Sequence, residues 1–199
     1  MSAFKTLNIF TNADCLKSHI LRFMAEVKEV EYQVIDFQSN PKVAALAGVV
    51  SAPAISDRDL TNHDLDIIVE YIEERHPAPA LLPNNAVTRA TYRNQVRAFH
   101  RDIFPLLDAA VAGCEDSRKA LSDSLRDMNA LTQGREYFAS ETMTLMDCAL
   151  IPWLYAAKKA GLSLKAYPYL AAYAERMFEL EAFTRSLGLG AKKESEEAA

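Results

Sequence analysis

Cys15 is the side chain in this sequence best placed to do covalent chemistry. The segment Cys15-Leu16-Lys17-Ser18 opens a predicted helix. A helix N-terminus and a neighbouring lysine both stabilise the thiolate form of a cysteine. Because a thiolate is a nucleophile, the position is typical of thiol transfer or thiol reduction. A half-buried or solvent-facing thiol with no task is the alternative interpretation.

The remaining cysteines and the histidines point to neither a disulfide framework nor a metal site. Cys15, Cys114 and Cys148 are an odd number at spacings that fit neither arrangement, so reduced thiols are expected. Cys148 lies in an apolar segment and is predicted to be a core residue. The four histidines show no ligand spacing, and His63 beside Asp64 is interpreted as a solvated helix start. We expect no metal and no cofactor.

The elements that position these side chains begin with a predicted βαβαββα segment. Leu7 and Ile9 alternate with polar neighbours and predict a first strand. Ile20, Leu21, Met24 and Val27 share one face of the helix that follows. Further strands are predicted at 32–37, 54–56 and 60–61, and further helices at 41–46, before Gly48, and at 64–75.

Prolines separate this segment from a second, helical part. Pro77, Pro79 and Pro83 break the pattern and predict a linker. Beyond them no strand is predicted. Helical periodicity covers 87–113, 115–133, 144–160 and 168–187. The predicted domains are an α/β domain at 1–76, a proline-rich linker at 77–86, an all-helical domain at 87–188 and a charged, disordered tail at 189–199.

Composition excludes several classes of function. The chain has 199 residues, half of them apolar, with a net charge of −5. Direct binding to nucleic acid is not expected, because that requires clustered Lys and Arg. No apolar run approaches the roughly 18 residues of a spanning helix, and no signal sequence precedes the first strand. A cytoplasmic protein without membrane contact is expected.

Two features resemble the glutathione transferase superfamily. Ala52-Pro53 stands just before the third predicted strand of a βαβαββα domain, where that superfamily has a cis-proline that exposes backbone to a thiol ligand. Thr144-Leu145-Met146-Asp147 matches the capping box of a buried helix in the same superfamily. The resemblance implies an α/β plus all-α fold, with a thioredoxin-like N-terminal domain followed by a helical bundle domain.

Within that superfamily the chain is most similar to the stringent starvation protein A family, over Phe4 to about Leu187. The matching segments are 57–61, 67–75 leading to 77–83, and 137–140 leading to 147–148. The resemblance implies a transcription regulator in the starvation and stress response. Such a regulator binds RNA polymerase through its primary sigma factor and has no transferase activity.

The glutathione site implied by the superfamily is incomplete. It would consist of Ala52, Pro53, Asp64 and Leu65, with leucine where glutathione-binding relatives have a serine. Leucine cannot donate the hydrogen bond to the ligand's carboxylate, a loss of roughly 1–3 kcal/mol, and glutathione binding is therefore expected to be impaired. The alternative is a glutathione-dependent transferase or thiol reductase that uses Cys15. Against it, the proline of the Cys-Pro-Tyr-Ser pattern is missing.

The proline turn carries the implied partner site. Family members have a Pro-His-Pro-Pro turn at the end of the third helix, and this chain has Pro77-Ala78-Pro79-Ala80. The prolines preset the backbone, whereas Ala78 offers no ring. We expect the partner-binding residues to be His76, Pro77, Ala78, Pro79, Ala80, Arg89 and Arg93.

A basic stripe follows the turn. Arg89, Arg93, Arg97 and Arg101 recur every four residues, and each step lies about 40° past a full helical turn. The superfamily packs this helix against the third helix of a partner subunit, which implies a homodimer, or a heterodimer with a related chain. The interface is expected to include Asp66, Glu70, Arg93 and Arg97, with Glu73 and Glu74 as further acidic candidates.

Overall fold

The computed structural model of the protein describes residues 6–12, 15–58 and 60–188. The predicted tail at 189–199 lies outside them. Contacts divide the described residues into two compact units. The first unit contains the residues up to Pro79 together with those from Glu181 onward, and the second runs from Ala80 to Leu180.

The first unit confirms the predicted βαβαββα order around a four-stranded sheet. The strands lie in the order β2-β1-β3-β4, with β1 parallel to β2 and antiparallel to β3. Strand β4 pairs antiparallel with β3. The elements are β1 (Leu7–Thr11), α1 (Leu16–Val27), β2 (Tyr32–Asp36), α2 (Pro41–Leu46), β3 (Ala54–Asp57), β4 (Leu60–Asn62) and α3 (Leu65–Arg75).

The central strand β1 is more buried than its alternating sequence predicts. All five of its residues are buried, including Asn8 and Thr11. A strand with one solvated face would expose every second side chain. Here Phe10 packs into a cluster with Ala44 and Ala54, while α1 packs on the strand as well. The polar residues of β1 therefore belong to the interior.

Two turns of this unit contain cis peptide bonds. The Ala52-Pro53 bond is cis, as the resemblance implied, and so is Ala78-Pro79, which the sequence did not predict. Gly48 follows α2 at a φ of +69°. This left-handed conformation favours glycine and ends the helix where the sequence placed its stop.

The named elements of the second unit are all helices, and an isolated β-bridge joins Tyr137 and Ser140 in the loop before its core helix. The predicted helix at 87–113 continues without a break, but its middle is a π-turn at Phe99–Ile103. Pro105 has no N–H to donate to the carbonyl of Arg101, and the wider turn accommodates that loss. The helices are α4 (Ala86–Ala98), α5 (Phe104–Val111), α6 (Glu115–Thr132), α7 (Leu145–Lys159) and α8 (Pro168–Phe178).

Helix α7 is the core helix of this unit and begins with the predicted capping box. The Thr144 hydroxyl accepts from the N–H of Met146 at 3.2 Å, and the Asp147 carboxylate accepts from the N–H of Thr144 at 2.8 Å. Cys148 is 2% exposed and Trp153 is fully buried. Cys148 is thus a core residue, as predicted.

The last predicted helix, 168–187, is divided in the structure. Helix α8 ends at Phe178, and a separate helix, α9 (Glu181–Ser186), packs against α1. The predicted helical domain at 87–188 differs there, because Phe183 buries its ring beside Phe23 and His19 of α1. Among the described residues, no helix has the length and apolar character needed to cross a membrane.

Candidate functional site

The proline turn projects from the end of α3. The N–H of His76 donates to the carbonyl of Ile72 at 3.0 Å and closes the helix. The next four residues, 77–80, are all exposed. Two of them are prolines without an N–H, so the turn has few backbone donors of its own. Its conformation therefore depends on groups outside it.

Lys28, which the sequence analysis did not single out, binds the turn from within the first unit. It caps the C-terminus of α1 and its side chain has no solvent exposure. The ammonium donates to the carbonyl of His76 at 2.7 Å and to that of Pro79 at 2.8 Å. It also forms an ion pair with Glu73. All three N–H donors of the lysine are thus used.

A cleft of about 490 Å³ lies beside the turn. Tyr71 donates to the Asp57 carboxylate at 2.7 Å next to it. Burial, followed by the charge of Arg75, lowers the pKa of His76 below its usual value, so this ring is neutral at pH 7. The cleft is lined by acidic and basic side chains and by part of the exposed turn. Its lining residues include Glu31, Asp57, Arg58, Arg75, His76 and Pro77.

The two halves of the predicted glutathione site meet through His63. The N–H of Val50 donates to His63 Nε2 at 3.2 Å, which joins the loop before Ala52 and Pro53 to the residues that precede α3. Both Ala52 and Pro53 are half-buried. Nε2 acts as an acceptor here, so it carries no proton. His63 is a structural residue of this loop, whereas the sequence predicted only that it lies at a solvated helix start.

The N-terminus of α3 is occupied by the chain's own carboxylate. Oδ1 of Asp64 accepts from the N–H groups of Asp66 at 2.9 Å and Ile67 at 3.2 Å. Leu65 is 8% exposed and points into the core. Two amides that could hold a ligand's carboxylate are therefore already paired, and the side chain of Leu65, which precedes them, is apolar.

Cys15 lies at the N-cap position of α1 and is half-buried, with no capping hydrogen bond from its side chain. The next turns of the helix carry His19 and Arg22. His19 Nε2 lies 3.0 Å from the Ser186 hydroxyl, and Arg22 Nε donates to the Ser186 carbonyl at 2.8 Å. Burial lowers the pKa of Arg22. The spacing of His19 and Arg22 from Cys15 along α1 could have identified them as its neighbours. No sequence pattern connects them to Ser186.

The basic stripe does not form one uniform surface. Arg89 and Arg93 are half-buried and Arg97 is exposed. Arg101 makes a bidentate pair with the adjacent Asp102, with both distances at 2.7 Å. The stripe therefore ends in a neutralised pair.

On α3, Asp66 and Glu70 are half-buried. The interpretation of Glu73 as a partner for the arginines of another subunit is wrong, because Glu73 is buried and paired with Lys28. Glu74 is exposed. No three His, Cys, Asp or Glu side chains among the described residues could hold a metal ion.

Comparison with known proteins places this geometry in a family. The model of the glutathione S-transferase C-terminal domain matches residues 90–176. The chain is similar to the stringent starvation protein A homolog of Haemophilus influenzae, with 31% identity over 94% of this chain and 92% of that protein.

Enzymes of the same fold are similar too. Maleylpyruvate isomerase of Ralstonia sp is 28% identical over 85% of this chain and 91% of its own length. A solved structure of maleyl pyruvate isomerase, a bacterial glutathione S-transferase of the Zeta class, has a TM-score of 0.73 at 26% identity and covers 90% of this chain and 95% of its own. The chain is 31% identical, along nearly its whole length, to a stringent starvation protein A homolog. It therefore belongs to the stringent starvation protein A family and has the glutathione transferase fold.

Proposed function

We propose that the protein is a transcription regulator of the starvation and stress response that binds the RNA polymerase holoenzyme through its primary sigma factor. The residues proposed to bind the partner are those of the turn at 76–80, together with Arg89 and Arg93. The protein acts in the cytoplasm and needs no transferase activity. The observation that carries the proposal is the exposed proline turn, held by Lys28 at the end of α3 in a chain of this family.

Two features of the site support binding of a protein rather than turnover of a small ligand. The prolines fix the backbone of the turn before it meets a partner, which lowers the entropy lost on binding. The amides at the start of α3 are capped by Asp64, and Leu65 offers no hydroxyl. The chain thus has a preset surface for a partner and a poor anchor for glutathione.

The proposal is tested by capture of purified polymerase holoenzyme. Pro77→Ala with Pro79→Ala frees the turn, and since each proline is worth about 0.4–1 kcal/mol of chain entropy, affinity should fall roughly 4- to 30-fold. The matched control is Pro41→Ala, an exposed proline in the first turn of α2. Equal affinity of the double variant and the control would contradict the binding site.

Ala78→His tests the same surface by gain of binding. It restores the ring that other family members have at the second position of the turn. Ala78 is exposed, so the added ring has room. Tighter capture of holoenzyme by Ala78→His than by Ala78→Gln is the expected result.

The proposal includes a homodimer. Asp66 and Glu70 of one copy would face Arg93 and Arg97 of the other, and opposite charges fit such a two-fold interface. A heterodimer with a related chain is the alternative. Sedimentation of Arg93→Glu with Arg97→Glu should give monomers if these pairs form, and co-purification from the native cell separates the two kinds of dimer.

A second candidate function is a glutathione-dependent transferase or thiol reductase. It is favoured by Cys15 at the start of α1 and by similarity to an isomerase at 28% identity. A thiol-exchange assay with glutathione compares the protein with Cys15→Ser. Turnover that depends on Cys15 would establish this function in place of the first.

A further inference from the structure

Lys28 is buried to a degree that lysine rarely reaches. Its side chain has no exposed area, and the Glu73 side chain is 3% exposed. A lysine is almost never fully buried unless it is paired, because desolvation of the ammonium is unfavourable. The ion pair with Glu73 satisfies one N–H. The other two N–H groups donate to backbone carbonyls of the proline turn.

The positions of these two carbonyls in the turn indicate what Lys28 does. They belong to His76 and Pro79, the residues on either side of Pro77-Ala78. Pro77 and Pro79 have no N–H, so neither can donate a hydrogen bond across the turn. One ammonium thus bridges the beginning and the end of an exposed segment from its buried side, while Pro77 and Ala78 face solvent.

We propose that Lys28 is the positioning residue of the docking turn. It does not touch the partner, and it holds the His76 and Pro79 carbonyls so that Pro77 and Ala78 are presented in one conformation. Glu73 neutralises its charge inside the protein. This inference rests on the proposed function, since the turn is taken as the surface that meets the sigma factor.

The main test replaces the whole pair. Lys28→Met alone would remove the cation that neutralises the buried Glu73 carboxylate, which can unfold a protein. Lys28→Met with Glu73→Leu puts apolar side chains where the pair was, and such replacements are often tolerated. The control is Lys42→Met, which makes the same change at an exposed lysine of α2.

Two measurements are made on each variant. Hydrogen exchange at the amides of His76, Ala78 and Ala80 is compared with exchange at Ile72 in α3, and holoenzyme affinity is compared with that of the wild type. The double variant should exchange faster at the turn and not at Ile72, and should bind about tenfold more weakly, because a turn that is no longer held must be ordered when it binds. Lys42→Met should stay close to the wild type in both.

The outcomes separate this inference from the proposed function. If Pro77→Ala with Pro79→Ala weakens binding and the Lys28 double variant does not, the positioning role is overturned and the docking surface stands. If the wild type does not capture holoenzyme, the docking surface fails, and the positioning role fails with it. If the double variant does not fold, Lys28→Arg serves instead. Its planar guanidinium keeps the charge but cannot place donors on both carbonyls and Glu73 as the ammonium does, so unchanged exchange and affinity would overturn the inference.

Discussion

At the scale of single residues, Asp147 ties together three segments of the helical unit. Its carboxylate accepts from the N–H of Phe138 and from the Tyr173 hydroxyl, both at 2.8 Å. It also accepts from the N–H and the hydroxyl of Thr144. Burial raises the pKa of Asp147, and these hydrogen bonds act in the opposite direction. The residue is a structural acceptor for donors that would otherwise be buried without partners.

Asp147→Ala should therefore destabilise the protein strongly. It leaves several buried donors unpaired, and we expect a loss of about 3–4 kcal/mol in the free energy of unfolding. Urea denaturation measures the loss. Glu141→Ala, an exposed acidic residue of the loop before α7, is the control and should change stability by less than about 0.5 kcal/mol. A loss below about 1 kcal/mol for Asp147→Ala would contradict the assigned role.

The residues of the candidate site differ in how well the sequence predicted them. Asp64 and Leu65 could be identified because a helix start and its cap are local in sequence. Lys28 and Glu73 could not, since their ion pair joins residues far apart in the chain. The same holds for Asp147, whose bond to Thr144 spans one helical turn while its bond to Tyr173 joins residues 26 positions apart, on two different helices. Interactions between residues close in sequence could be predicted from the sequence, and pairs between distant residues could not.

At the scale of elements, α9 is a short helix that depends on tertiary contacts. With six residues it is too short to be stable alone. Phe183 packs edge-on against Phe23 with ring centroids 5.7 Å apart, and Arg22 donates to the carbonyl of Ser186. Periodicity predicted one helix over 168–187 because the apolar spacing continues across the break. Packing on α1, which periodicity does not contain, separates α9 from α8.

Phe183→Ala should release α9 from α1. Truncating a fully buried phenylalanine removes about 3–5 kcal/mol of stability, and exchange at the amides of 183–186 should approach that of an unfolded chain. Leu187→Ala, at a residue that is 39% exposed, is the matched control with little expected effect. If both variants unfold at the same urea concentration, the contact with α1 does not stabilise this helix.

At the scale of the whole molecule, one fold serves relatives of two kinds. The sheet order, the cis Ala52-Pro53 bond and the capping box are all compatible with an enzyme or with a regulator. The capping box was predictable from its sequence pattern, the cis bond was implied by the resemblance to the superfamily, and the strand order was not predicted. Activity depends instead on a few side chains, of which Leu65 is one.

Leu65→Ser should strengthen glutathione binding. A hydroxyl at the start of α3 supplies the missing donor, and roughly 1–3 kcal/mol corresponds to about 5- to 150-fold in affinity. Leu65→Ala removes the same buried bulk without adding a donor and is the matched control. Calorimetry with millimolar glutathione measures all three proteins. Micromolar binding by the wild type, or equal binding by both variants, would show that Leu65 does not limit the site.

The π-turn at Phe99–Ile103 also changes the directions in which the charged side chains of its helix point. In an α-helix a step of four residues overshoots a full revolution, so a slanting row continues along the surface. A π-turn takes more residues to complete a revolution, and the step from Arg97 to Arg101 therefore falls short of one. Arg101 leaves the line of Arg89, Arg93 and Arg97 and meets Asp102. Four arginines repeat in the sequence, but in three dimensions they form a row of three cations that ends one turn early.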